Sequence, residues 1–344
     1  MGVKLSDLIP AKEIEFDDLS GRIVVVDGNL NLYQFLSSIR QKDGTLLTDS
    51  HGSVTSHLVG LFTRSARLMR YGIKLSYVFD GKAPELKKKE QLRRRGIKEE
   101  AEIRYKEAEK AGDIREMKKY AARTTRLTSE MVDEAKELIG AMGMPVVQAP
   151  SEGEAQAAHI VKKGDAYAVA SQDADSFMFG ATRVIKNLTI SSKKKKPGQL
   201  AYREARPELI ELSELLNSLG IDQNQLIALG MLVGTDYNPG GIKGVGPKNA
   251  LKLVKKYNQD LDMLFEEVKW KEYFDFKWTD VFYLIKKIPV SDDYSLKWKD
   301  VDVAKIKEIL VEKHEFSEER VESSLGKLIK EKEEKAQKGL GEFF

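Results

Sequence analysis

A chain of 344 residues that is 41% hydrophobic and 32% charged can bury a substantial core and is too apolar for a disordered polymer. Its formal net charge of +3 identifies no partner, and the complete lack of cysteine excludes disulfides, thiolate metal sites and thiol nucleophiles together. With four histidines, no long apolar run and no basic-then-apolar signal pattern at the N-terminus, the chain is expected to be an intracellular protein without a His-rich metal site.

Met1-Gly2-Val3-Lys4-Leu5-Ser6 fits the N-myristoylation pattern, which is short enough to arise by chance. Abundant lysine and glutamate beside absent cysteine lean toward a heat-adapted source. In chain order, a strand is predicted over 22–26, helices over 30–39 and 54–69, and a strand over 74–79. From 84 to 126 the chain turns highly charged, nearly free of β-branched residues and broken at Ala111-Gly112-Asp113, as a helical insertion would be. A helix over 129–142 and strands over 145–148 and 167–170 follow. Alternating strands and helices predict an α/β domain with a mainly parallel central sheet flanked by helices. Lys193-Lys194-Lys195-Lys196-Pro197-Gly198 reads as an exposed hairpin loop between two strands, and helices are expected to fill most of the chain from Pro207. The end, from about Leu328, is charge-dense and then abruptly apolar.

Acidic residues recur where these strands end. Asp27 follows Ile23-Val24-Val25-Val26, Asp80 follows Tyr77-Val78-Phe79, and Asp173 and Asp175 lie just past Ala168-Val169-Ala170. Glu152 and Glu154 stand at an expected helix start after the 145–148 strand, and Asp236 sits in the turn Gly234-Thr235-Asp236-Tyr237-Asn238. Strand carboxyl ends are where open α/β sheets bind ligands. Any one of these acids could be a turn former or a helix-dipole partner. Seven converging carboxylates would raise one another's pKa unless compensated by cations, and an all-oxygen set favours Mg2+, with Mn2+ able to substitute. Two such ions serve phosphodiester displacement.

The motifs Val26-Asp27-Gly28-Asn29, Tyr33-Gln34-Phe35-Leu36, Val78-Phe79-Asp80-Gly81-Lys82, Ala149-Pro150-Ser151-Glu152-Gly153-Glu154-Ala155, Ser171-Gln172-Asp173-Ala174-Asp175 and Gly234-Thr235-Asp236-Tyr237, in this order and spacing, resemble the flap endonuclease family of structure-specific 5′ nucleases in its archaeal form. The resemblance covers nearly the whole chain. It implies a PIN-like nuclease fold over 1–327, with 84–126 as an arch through which a single-stranded 5′ end passes. All seven acids match the family's positions for organising two Mg2+ ions, directly or through water. It also implies that Lys87 and Arg94 face one way on a helix and reach the scissile phosphate.

For DNA contact, the resemblance implicates Tyr33, which could stack on an unpaired base or belong to the core, together with Arg40 and Thr55. His57 lies in a segment similar to the family's 3′-flap pocket and reads equally as a packed histidine. Gly241-Ile242-Lys243-Gly244-Val245-Gly246-Pro247-Lys248 looks like the turn of a helix-hairpin-helix over about 227–257, with Gly244 and Gly246 permitting close backbone approach, Lys243 and Lys248 adding charge, and K+ assisting by family analogy. The lysines at 193–196 either track duplex DNA or form a solvated tip. In the tail 328–344, residues 337–344 fit the Q-x-x-hydrophobic-x-x-aromatic-aromatic pattern of sliding-clamp peptides through Gln337, Leu340, Phe343 and Phe344.

The expected activity is Mg2+-dependent removal of 5′ flaps at single-strand/duplex junctions during DNA replication, including Okazaki-fragment flaps, and repair. It comes with 5′–3′ exonuclease action, by a protein that is monomeric when free of its clamp. A non-catalytic clamp-associated DNA-binding scaffold and a PIN-like ribonuclease are the alternatives.

Overall fold

The structure is a computed structural model and describes residues 9–189, 193–195, 202–204 and 206–341. Its first half is a β/α alternation. Strand β1 (Lys12–Glu13) precedes β2 (Ile23–Asp27), α1 (Gly28–Ser38), α2 (Ser56–Arg70) and β3 (Lys74–Phe79). The insertion follows as a 3-10 turn (Glu85–Lys87) and two helices, α3 (Lys88–Lys110) and α4 (Ile114–Ala121), broken at Ala111-Gly112-Asp113. Then come α5 (Ser129–Ala141), β4 (Val146–Gln148), α6 (Gly153–Lys163), β5 (Ala168–Ala170), α7 (Asp175–Met178) and β6 (Arg183–Lys186).

The main sheet has the order β1-β9-β6-β5-β2-β3-β4, where β9 is Glu208–Glu211. Strands β2 to β6 run parallel to their neighbours, while β9 and β1 pair antiparallel at one edge. Val24, Val25 and Val26 of β2 are buried on both faces, as a central parallel strand requires. Two cores cover the two sheet faces. One is built around Phe177, Leu226 and Met231, the other around Phe35, Leu61 and Leu138.

One sequence expectation is corrected. Lys193–Lys195 form a strand, β7, paired antiparallel with β8 (Tyr202–Glu204), so these lysines are a ribbon arm and not its loop; the residues between the arms lie outside those described. Helices fill most of the described chain after Pro207, as expected, but a strand opens it, because a four-residue apolar-centred run carries no periodicity that separates helix from strand. Residues 287–302 add a further stretch without helix or strand.

The helical part comprises α8 (Leu212–Leu219), α9 (Gln223–Val233), α10 (Pro247–Tyr257), α11 (Leu261–Glu267), α12 (Trp270–Tyr273), α13 (Trp278–Lys286), α14 (Val303–Lys307) and α15 (Glu318–Gly341). Helix α15 buries Val321, Leu325 and Leu328 at helical spacing and ties Glu331 to Arg70 of α2 at 2.6 Å. The tail start expected at 328 therefore falls inside a docked helix. Among the described residues, no helix is long and apolar enough to cross a membrane.

Candidate active site

The register of the parallel strands brings their carboxyl ends level: Asp27 stands opposite Val78, Phe79 opposite Gln148, and Val26 opposite Ala170. From β2 the chain moves outward through β3 to β4 and then returns to the other side of β2 for β5. The crevice between β2 and β5 is therefore the topological switch point of the sheet. Asp27 ends one of these strands, and Asp173 and Asp175 follow the other.

Local bonds aim the acids. Asp27 caps α1, accepting from the Leu30 amide at 2.9 Å. Gly28 is required beside it, since a Cβ there would come within 2.8 Å of the Phe79 ring. Asp80 Oδ1 accepts from the Gly153 amide at 2.6 Å, fastening the end of β3 to the start of α6, and the Asp80 amide donates to Asn29 Oδ1 at 3.1 Å. Glu154 accepts from Ser176 Oγ at 2.6 Å and Ser171 Oγ at 3.2 Å. Asp236 is presented by a turn whose buried Asn238 accepts from Thr235 Oγ1 at 2.6 Å and donates to the Met231 carbonyl at 2.7 Å.

The seven acids share one electrostatic neighbourhood. Burial, with Asp80 and Glu152 adding to it, pushes Asp27 up to about 7. Burial also raises Glu152, with Asp80 and Asp236 adding to the rise, although Lys87 opposes it. Glu154 is raised by burial and by Asp175, Asp27 and Asp173. Among the described residues, no group of three or more Asp, Glu or His side chains is placed to hold a metal ion. Burial and neighbouring carboxylates together make the ionised forms of Asp27, Glu152 and Glu154 costly, the condition that a divalent cation relieves.

Two cations from the insertion meet this cluster. Lys87 bonds Glu152 and stands 3.5 Å from Asp236, while Arg94 bonds the other oxygen of Asp236. Burial lowers Lys87, but Glu152, Asp236 and Asp80 together outweigh it and the net shift is upward, so Lys87 is held as a cation. Lys87 ends the 3-10 turn and Arg94 lies two turns along, which puts both on the side of α3 facing the acids.

The other predicted contacts are spread over the molecule. Tyr33 is 37% exposed, so it is not core; it lines a cleft with Gln34, Lys98, Arg123 and Gln172, and Lys98 Nζ lies 5.0 Å from its ring centre. Arg40 binds the Gly44 carbonyl at 2.8 Å and Thr125 Oγ1 at 2.5 Å, joining the end of α1 to the foot of the insertion. Thr55 is buried. His57 is wholly buried as well, with Nε2 3.8 Å from Glu134. Lys243, Gly244, Gly246 and Lys248 are exposed together between α9 and α10, with Gly244 at φ +84 and Pro247 opening α10. Gln337 and Leu340 lie on the last turns of α15, and Phe343 and Phe344 lie outside the described residues.

Sequence reasoning missed Ser171 and Ser176 as the hydroxyls that hold Glu154, although both flank the Asp173/Asp175 pair. It also missed Lys186, which burial lowers while Glu208 and Asp173 support its charge.

Residues 1–101 match the XPG N-terminal domain family and residues 143–236 the XPG I-region. The chain is 52% identical to flap endonuclease 1 of Pyrococcus abyssi, over 96% of this chain and 94% of that one. It is likewise 52% identical to flap endonuclease 1 of Staphylothermus marinus, over 96% and 95%. Among solved structures, flap endonuclease-1 from Methanococcus jannaschii matches with TM-score 0.76 and 41% identity, covering 97% of this chain and all of that one. The catalytic core of Rad2 in complex with DNA substrate shares the fold at TM-score 0.69 and 22% identity over 95% of this chain and 100% of that one.

Proposed function

The chain belongs to the flap endonuclease family and is a structure-specific 5′ flap nuclease; from that premise we propose that Asp27, Asp80, Glu152, Glu154, Asp173, Asp175 and Asp236 are the carboxylates that hold its divalent cations, and that Lys87 and Arg94 engage the scissile phosphate. The observation that carries this reading is the convergence of acids from four strand ends and one turn, met from one side by two cations. Bound Mg2+ supplies a metal-activated water and a Lewis acid for the leaving oxygen. The chain's own groups do the rest. Lys87 and Arg94 stand where a phosphodiester laid over the acids would accept from them, and they exchange Asp236 and Glu152 for phosphate oxygens. Their positive charge then opposes the charge that develops on the phosphoryl group.

The exposed turn at Lys243, Gly244, Gly246 and Lys248 would grip duplex backbone without reading its sequence, and a K+ ion bound at this turn would add positive charge against the phosphates. Tyr33, with Lys98 beside it, offers a stacking face for a base at the junction, while Arg40 and Thr55 support the surrounding loops. The nuclease unit takes in 1–327 and continues through the docked part of α15 as far as Glu331, with 84–126 as the arch, and acts inside the cell on replicating or damaged DNA.

Protons and metal compete for the same oxygens. With Asp27 raised to about 7, the folded protein retains below that pH a proton that an ordinary carboxylate would have released near 4. In chelator, this group's contribution to stability therefore falls as pH climbs from about 4 to 7. The half-saturating Mg2+ concentration for 5′-flap cleavage should fall by up to about tenfold per pH unit below 7 and level off above it, with no cleavage in EDTA. Oligonucleotide assays from pH 5.5 to 8.5 measure this. A metal requirement flat across pH 7, or cleavage in EDTA, would refute the assignment. Tight flap binding without cleavage at saturating metal would favour the scaffold, and RNA hairpins cut in preference to DNA flaps would favour the ribonuclease.

The last residues are proposed as a sliding-clamp peptide. Support comes from the spacing of Gln337, Leu340, Phe343 and Phe344, and from α15, which is docked through Glu331 on Arg70 and carries positions 337 and 340 on its last turns. Deleting 337–344 should leave cleavage of free flap substrate within about twofold while removing stimulation by a ring clamp loaded on the same DNA. Equal stimulation of the truncated chain would exclude this role.

A further inference from the structure

The first turns of α3 are exposed at Lys88, Lys89, Gln91, Leu92 and Arg93, yet Glu90 among them is only 3% exposed. A carboxylate is buried on such a surface only when it is fully paired. Its partners are two adjacent arginines. Arg93 forms a fork, Nε to Oε2 at 2.6 Å and Nη2 to Oε1 at 2.7 Å, and Arg94 donates Nε to Oε1 at 2.6 Å. These bonds follow from i,i+3 and i,i+4 spacing on one helix. The bonds from Arg93 and Arg94 lower Glu90 from its ordinary value, which favours its ionised form.

Arg94 therefore spends its Nε edge on Glu90 and carries its terminal nitrogens toward the acids, where Nη2 bonds Asp236. Because guanidinium is planar and rigid, fixing one edge fixes the direction of the other. We propose that Glu90 is a positioning residue for the cleavage reaction: it holds Arg94 by its inner edge, so that the outer edge can pass from Asp236 to the scissile phosphate without the side chain being re-ordered. Asp236 is the partner exchanged and Glu90 the partner retained. Arg93 shares this buried anchor, whereas Arg95 pairs with exposed Glu99, Lys88 with exposed Glu85 and Lys89 with exposed Asp275. This inference rests on the phosphate-binding role proposed above for Arg94.

The test compares Glu90→Ala, Glu90→Gln, Arg94→Ala and Glu90→Ala/Arg94→Ala in the full chain. Single-turnover cleavage of a 5′-flap duplex is measured at saturating Mg2+, flap affinity separately in Ca2+, and melting temperature on each variant. Glu90→Ala should slow cleavage by about 30-fold with affinity within about threefold, since misplacing a group by about an ångström costs up to two orders of magnitude. Glu90→Gln, which keeps one acceptor without the charge, should fall between wild type and Glu90→Ala. On the Arg94→Ala background the loss at Glu90 should vanish, leaving the double variant within about threefold of Arg94→Ala. Cleavage by Glu90→Ala within about threefold of wild type, or an additive loss in the double variant, overturns the proposal. If Glu90→Ala does not fold, Glu90→Gln on the two backgrounds decides by the same criterion. If Arg94→Ala itself cleaves at the wild-type rate, the reading of Arg94 fails and Glu90 falls with it.

Discussion

Glu154→Gln should cut single-turnover flap cleavage by about 1,000-fold or more, a loss of roughly 4 kcal/mol of transition-state stabilisation, while 5′-flap DNA still binds. Glutamine keeps the size of the side chain and an oxygen for Ser171 and Ser176, so the crevice retains its shape and loses only charge. Opposite signs for activity and stability are the signature to look for. Glu154 is raised by burial and by Asp175, Asp27 and Asp173, so its ionised form is a burden on the metal-free fold. In chelator, the variant should melt at the wild-type temperature or higher, gaining roughly 2–4 °C for each kcal/mol of repulsion relieved. The further rise that wild type shows on adding Mg2+ should shrink, because a ligand stabilises only in proportion to its affinity. Thermal scans with and without Mg2+, paired with quenched-flow cleavage, measure both. Cleavage within tenfold of wild type would remove Glu154 from the metal set.

Lys87→Ala and Arg94→Ala should each slow cleavage by about 100- to 1,000-fold, the range seen when one preorganised donor to a developing negative charge is lost. Flap affinity should change by no more than about threefold, as expected where the duplex grip proposed for the turn before α10 carries the binding. Here stability moves against the metal-free protein. Lys87 is the cation that partly offsets the burial of Glu152, and Arg94 that of Asp236. Removing either leaves a carboxylate less compensated, so the chelator-treated variant should melt below wild type and recover most of the difference in Mg2+. Lys87→Arg should rescue little, because the guanidinium is bulkier than the ammonium it replaces and Lys87 is half enclosed between Glu152 and Asp236. An alanine variant that cleaves normally, or that loses flap binding in step with cleavage, would make the cation a binding residue and not a catalytic one.

Much of this chain is readable from local pattern. Val24 to Val26 could only be a doubly buried strand, and the charged run from 84 to 126, broken at Gly112, could hardly be core. Asp27, Asp80, Glu152, Glu154, Asp173 and Asp175 were visible as candidates because each follows such a strand, and Pro247 after Gly246 marked the start of α10. Short elements were not readable. Glu208–Glu211 and Lys193–Lys195 are strands because partners exist for them elsewhere in the chain, β6 and β1 in one case and β8 in the other. Nor could periodicity say where α15 stops being part of the fold, because that depends on α2 lying beneath Leu325 and Leu328.

By itself, then, the sequence determined which residues end strands, which helices carry charge, and that no thiol or imidazole cage could serve the chemistry. Only the tertiary structure decided that β5 returns to the far side of β2, placing Asp173 and Asp175 across a crevice from Asp27, and that Arg94, held by Glu90 on its own helix, meets Asp236 142 positions away. The physical reason is that strand order and side-chain pairing are set by contacts between residues tens to hundreds of positions apart, whereas propensity and periodicity act over a few turns.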